Sequence, residues 1–155
     1  MHERRLVNRR LVEYWLPLLA WLLLIFFFST DTFSSDESSR IIVPLLRLLA
    51  PSLSLESLDF LHAVIRKLGH VTEYFVLAVL TYRSITYDRA DLLNAKWRTL
   101  CCVVFAAALD EVHQRFTLFR TGSPVDVGYD CLGAVWALWL MAAYETRRLR
   151  SYTVL

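Results

Sequence analysis

Charge-free apolar runs alternate with short polar clusters along this chain, and their lengths set the expected elements. The longest run, YWLPLLAWLLLIFFFST, covers residues 14–30, 17 positions without a charge. With Leu11 and Val12 in front it approaches the roughly 20 apolar residues that a bilayer-spanning helix needs. Three further runs occupy 68–82, 99–119 and 126–144, and each reaches spanning length only with its polar end included. Between the first two runs, residues 41–50 form a shorter apolar piece broken by Pro44 and closed by Pro51, with Arg40 and Arg47 on one side. That pattern predicts a short amphipathic helix lying in the membrane interface.

Composition sharpens the class. Hydrophobic residues make up 56% of the 155 positions and charged ones 21%, so the apolar excess sits in blocks, as in a membrane protein. The expected fold is an all-α integral membrane domain of four transmembrane helices, one domain over 1–155 with its polar core at about 67–144. A signal peptide competes for the first run, because RRLVNRR makes a basic flank. Phe27 and Phe28 suit a cleavage site poorly, so a retained helix is expected. The net charge of +2, with no basic cluster interleaved with aromatics, argues against nucleic acid. Cys101, Cys102 and Cys131 lack metal-ligand spacing and read as free, apolar thiols.

Positive charge predicts direction. Arg4, Arg5, Arg9 and Arg10 precede the first run; Arg83, Arg89, Lys96 and Arg98 follow the second; Arg147, Arg148 and Arg150 follow the fourth. These are 11 of the 17 basic residues. Both termini are therefore expected in the cytoplasm. Every polar cluster then falls in the outer half of the membrane: Lys67, His70 and Glu73 where the second span enters, Asp110 to Arg115 where the third leaves, and Asp126 and Asp130 where the fourth enters.

Helical periodicity groups these clusters into facing stripes. At about 100° per residue, Lys67, His70, Glu73 and Tyr74 share an arc of roughly 120°. Asp110, His113 and Gln114 share a face, with Glu111 and Arg115 as an i,i+4 pair at its flank. Asp126, Asp130, Gly133 and Ala137 form one stripe, while Trp136 and Trp139 point to lipid. Because a charge at mid-bilayer costs about 2.5–3.5 kcal/mol on insertion scales, these groups must face one another or water. Glu111 is expected to pair with Arg120 or Lys67.

Several chemistries fit part of the pattern. A structural salt-bridge network with snorkelling cations accounts for Arg66, Arg115 and Lys67, but less well for the deeper Glu73 and Asp130. His70 and Glu73, three apart, resemble one arm of some metal sites, yet HExxH and Cys/His clusters are missing, and neither metal nor cofactor is expected. Ser123, His113 and Asp126 could be drawn as a triad, but Ser before Pro is ordinary turn chemistry. Glu111 or His113 could act as a general acid or base. A proton or ion path would need polar groups across the whole membrane, and the inner halves YFVLAVL and CCVVFAAAL supply almost none.

The combination KLGHVTEYFVLAVL, DEVHQRF, Arg120 and GSPVDVGYDCLGA resembles the VanZ-like family. The likeness falls on Lys67, His70, Glu73, Tyr74, Asp110, Glu111, Gln114, Phe116, Arg120, Ser123, Asp126, Gly133 and Ala134, and covers about 68–140. Asp130 stands where the family pattern has Asn, and Ala137 where a second Gly is common. The resemblance implies a small bacterial inner-membrane protein. The family takes its name from a member associated with resistance to the glycopeptide teicoplanin, which supplies a context and not a reaction.

The leading expectation is an outward polar pocket, formed by the matched polar residues together with Asp130, that binds a lipid-linked or glycopeptide-type envelope molecule. Lys67 and Arg120 would hold an anionic headgroup, with the tail against the fourth span. The alternatives are an enzyme acting on such a molecule, with Glu111 or His113 as acid/base, and a structural or partner-binding membrane protein.

Overall fold

The computed structural model describes residues 11–87, 92–120 and 122–153, with the side chains of Leu93 and of 148–153 excepted. Arg4, Arg5, Arg9, Arg10 and Arg89 of the charge pattern lie outside them. The described residues contain five α-helices and no strand. They are α1 (Leu16–Phe28), α2 (Ser35–Leu49), α3 (Leu55–Ile85), α4 (Leu92–Arg115) and α5 (Pro124–Thr153). A π-helical turn, Leu11–Trp15, leads into α1, where Pro17 occupies a first-turn position that needs no N–H donor. A 3-10 turn, Asp31–Phe33, links α1 to α2.

Among the described residues, two helices are long and apolar enough to cross a membrane on composition alone. They are Leu11–Phe28, with mean hydropathy 2.1, and Pro124–Arg147, with 1.3. The flanks of the bundle carry a broad apolar surface, with Leu23 71% exposed, Phe105 66% and Trp139 63%. Patches of this extent signal a non-aqueous neighbour.

Two boundaries differ from the sequence expectation, for identifiable reasons. Helix α2 begins at Ser35 and runs through Pro44 without a break. Ser34 caps it by accepting the Glu37 amide at 3.3 Å, and Asp36 and Glu37 complement the helix dipole in the first turn. Helix α3 starts at Leu55, well before the apolar run, because Ser54 accepts the Ser57 amide at 3.2 Å and nucleates an amphipathic extension.

Helix α3 is the hub. It packs most extensively on α5, and also on α4, α1 and α2, while α4 packs in addition on α5. The core joins Leu18 and Ile25 of α1, Tyr74, Leu77 and Ala78 of α3, Val103 and Ala107 of α4, and Ala134 and Ala137 of α5. Small residues bring α3 and α5 together: a methyl group at Gly133 would overlap the Val71 carbonyl oxygen and stand 3.0 Å from the Phe75 nitrogen. Trp136 and Trp139 face outward, as expected.

Candidate functional site

The end of α4 and the start of α5 are built around buried polar groups. Asp110, Glu111 and Gln114 are all buried. One turn after Asp110, the Gln114 side-chain amide donates to its Oδ2 at 3.0 Å and to Ser29 Oγ at 3.3 Å, fixing α4 to the end of α1. Glu111 Oε2 accepts the Ser123 amide at 2.5 Å. Gly122 makes this approach possible, since a Cβ there would meet the Glu111 carbonyl oxygen at 2.5 Å. Ser123 then opens α5: its Oγ accepts the Val125 amide at 3.2 Å and its carbonyl accepts the Asp126 amide at 2.8 Å. Pro124, which lacks an N–H, fits the first helical position.

The polar stripe of α3 meets that of α5. Lys67 ion-pairs with Asp126 and lies 5.2 Å from the centre of the Tyr129 ring. One turn further in, His70 Nδ1 is 3.1 Å from Asp130 Oδ1. Tyr74 is fully buried, and its hydroxyl, Asp110 Oδ1, Glu111 Oε1 and Asp130 Oδ2 are buried atoms without a hydrogen-bond partner among the described residues. The main chain of α3 is anchored beside this stripe, where the Trp21 indole donates to the Glu73 carbonyl at 2.9 Å.

The loop after α4 is stitched to the end of α1. Asp31 accepts the Phe119 amide at 2.9 Å and the Leu118 amide at 3.3 Å. Arg120 Nη2 donates to the Phe28 carbonyl and, at 2.6 Å, to the Phe33 carbonyl. Asp31 is a positioning residue that the apolar pattern did not single out; an acidic residue just past an apolar helix is the only signal it leaves in the sequence.

Two cavities open beside this loop. One, of about 250 Å³, is walled by Phe28, Phe33, Ile42 and Ile65, with Arg66, His70, Glu73 and Arg120 along its polar side. The other, of about 200 Å³, is lined by Arg66, Lys67, Gln114, Arg120, Ser123 and Asp126 among others. Arg66 and Arg120 belong to both.

The structure therefore gathers Lys67, His70, Tyr74, Asp110, Glu111, Gln114, Asp126 and Asp130 at one helical junction, with Glu73, Arg120 and Ser123 on the cavity walls. Two expected pairings are corrected. Glu111 caps the Ser123 amide instead of meeting Arg120 or Lys67, because Lys67 is taken by Asp126 and Arg120 by carbonyls. Arg115 points to solvent and forms no pair with Glu111 among the described residues. His113 lies edge-on to Phe26 of α1, with ring centres 6.0 Å apart, and lines neither cavity. No side-chain hydrogen bond joins Ser123, His113 and Asp126 among the described residues, so the drawn triad is not assembled. Nor does any group of three His, Cys, Asp or Glu among them stand in position to hold a metal ion.

The profile of the VanZ/LLP1 family matches residues 14–145, which takes in α1, the loop that Arg120 ties down and the whole α3–α5 junction. The chain belongs to the VanZ/LLP1 family. Searches of curated proteins and of solved structures return no match. Membership agrees with the apolar helices α1 and α5 in marking a membrane protein, and with the polar residues from which the VanZ-like resemblance was drawn.

Proposed function

We propose that this VanZ-family chain spans the bacterial inner membrane four times, with α1, α3, α4 and α5 as the spans, and binds a lipid-linked or glycopeptide-type envelope molecule at a pocket facing the outer leaflet. The Leu11 end of α1 and the Thr153 end of α5 face the cytoplasm in this reading, which the distribution of Lys and Arg supports. Helices α3 and α4 are too polar to span alone. Their polar stripes are turned toward α5 and the end of α1, which leaves apolar faces for lipid. Helix α2, with Ile41, Leu45, Leu48 and Leu49 exposed, then lies in the outer interface.

One observation carries the reading: an apolar cavity and a polar cavity adjoin at the same end of the bundle and share two guanidinium groups. That is the shape of a site for an amphiphile, with a wet end for a headgroup and a greasy end for a chain. Mass spectrometry of molecules that co-purify with the detergent-extracted protein tests it. An envelope amphiphile should be retained by the wild type and depleted in Arg120→Lys and Lys67→Ala. Equal retention in all three would take the cations out of the site and favour a purely structural polar network.

A further inference from the structure

Every charged side chain around the two cavities can be accounted for. Lys67 is neutralised by Asp126, and His70 is engaged with Asp130. Asp110 and Glu111 line neither cavity and are held by Gln114 and the Ser123 amide. Arg66, Arg120 and Glu73 remain. Arg66 has no hydrogen bond or ion pair among the described residues, although it walls both cavities. Arg120 spends Nη2 on two carbonyls, which do not cancel its charge, and its buried Nε has no partner.

Two guanidinium groups thus share two cavity walls without a carboxylate bound to either. In the polar cavity three cations, Arg66, Lys67 and Arg120, stand against the single carboxylate of Asp126. In the apolar cavity the two arginines stand against Glu73, which makes no ion pair with them among the described residues. Burial, and next the charge of Arg66, push the Arg120 guanidinium below its ordinary pKa, while Asp110, Glu73 and Glu111 pull the other way. Even so, an arginine stays charged in a protein. What relieves such a pair is an oxyanion able to accept from two planar forks at once, and phosphate is the group whose geometry suits them.

We propose that Arg66 and Arg120 clamp the phosphate of an amphiphile whose apolar tail lies along Phe28, Phe33, Ile42 and Ile65. This deepens the pocket reading above and rests on it. It also moves the tail: the apolar wall that adjoins the clamp belongs to α1, the 3-10 turn, α2 and α3, and not to α5. Lys67, with its charge already matched, becomes a support for the mouth and not the principal anchor. Glu73 and His70, deeper on the same wall, are placed to meet hydroxyl or amine groups of the headgroup.

The test is a binding titration of the full chain in neutral detergent with three probes: dioctanoyl phosphatidate, dioctanoylglycerol and inorganic phosphate. The phosphatidate should bind best, dioctanoylglycerol weakly, and phosphate measurably but less tightly than the phosphatidate. Arg66→Gln should weaken phosphatidate binding by roughly tenfold or more, and Arg66→Lys by less. Because Arg66 has no hydrogen-bond or ion-pair partner among the described residues, these variants should keep the wild-type melting temperature; Arg120→Lys, which touches structural carbonyls, is the secondary variant. Ile42→Trp, which fills the apolar wall, should weaken the phosphatidate and leave phosphate unchanged. Equal affinity for phosphatidate and dioctanoylglycerol, or no effect of Arg66→Gln, overturns the clamp. Equal affinity for phosphatidate and free phosphate overturns the tail assignment and marks a site for the free anion. If an amphiphile co-purifies with the chain but the phosphate proves irrelevant, this inference falls and the broader pocket reading stands.

Discussion

His70 Nδ1 stands 3.1 Å from Asp130 Oδ1, joining α3 to α5 at a carboxylate with no solvent exposure. An asparagine at 130 keeps an acceptor for the imidazole and removes a charge from the interior. Asp130→Asn should therefore hold the melting temperature near that of the wild type, whereas Asp130→Leu strands the imidazole and should cost about 1–3 kcal/mol. Thermal unfolding in detergent, followed by tryptophan fluorescence, distinguishes the two. Equal losses would mean that the contact contributes nothing.

The Lys67–Asp126 pair lies nearer the surface, its side chains 38% and 12% exposed. Solvent screening limits its coupling to about 1 kcal/mol or less. In a double-mutant cycle, Lys67→Ala combined with Asp126→Ala should lose slightly less stability than the sum of the single changes. A coupling of several kcal/mol would show the pair to be far drier than this geometry.

Two glycines of α5 should respond in opposite directions. Gly133 presses against the backbone of α3, so Gly133→Ala should force the helices apart and cost about 1–3 kcal/mol. A Cβ at Gly128 meets nothing, so Gly128→Ala should gain up to about 1 kcal/mol from helix propensity. A matched loss at both positions would contradict the close α3–α5 approach.

The polar stripes were legible in the sequence because helical periodicity alone puts Asp126, Asp130, Gly133 and Ala137 in line, and Asp110 with Gln114. Helix boundaries were less so. The extension of α3 from Leu55 depends on the Ser54 cap, and α2 tolerates Pro44 because its start is well capped and only one backbone bond is forfeited. Pairings across helices were not legible at all. Which carboxylate takes Lys67 depends on the register between α3 and α5, and the tie from Arg120 to the end of α1 depends on a loop path without periodicity. Arg66 reads in sequence as one more snorkelling cation; only the shared cavity walls separate it from Arg115.

The proposed pocket faces outward and is occupied there. A single cysteine at Ser123, on the wall of the polar cavity, in a chain with Cys101, Cys102 and Cys131 replaced, tests it in intact cells. A membrane-impermeant maleimide should label this cysteine from outside, and added dioctanoyl phosphatidate should slow the labelling. Labelling only after the membrane is permeabilised would put Ser123 and its cavity on the cytoplasmic side.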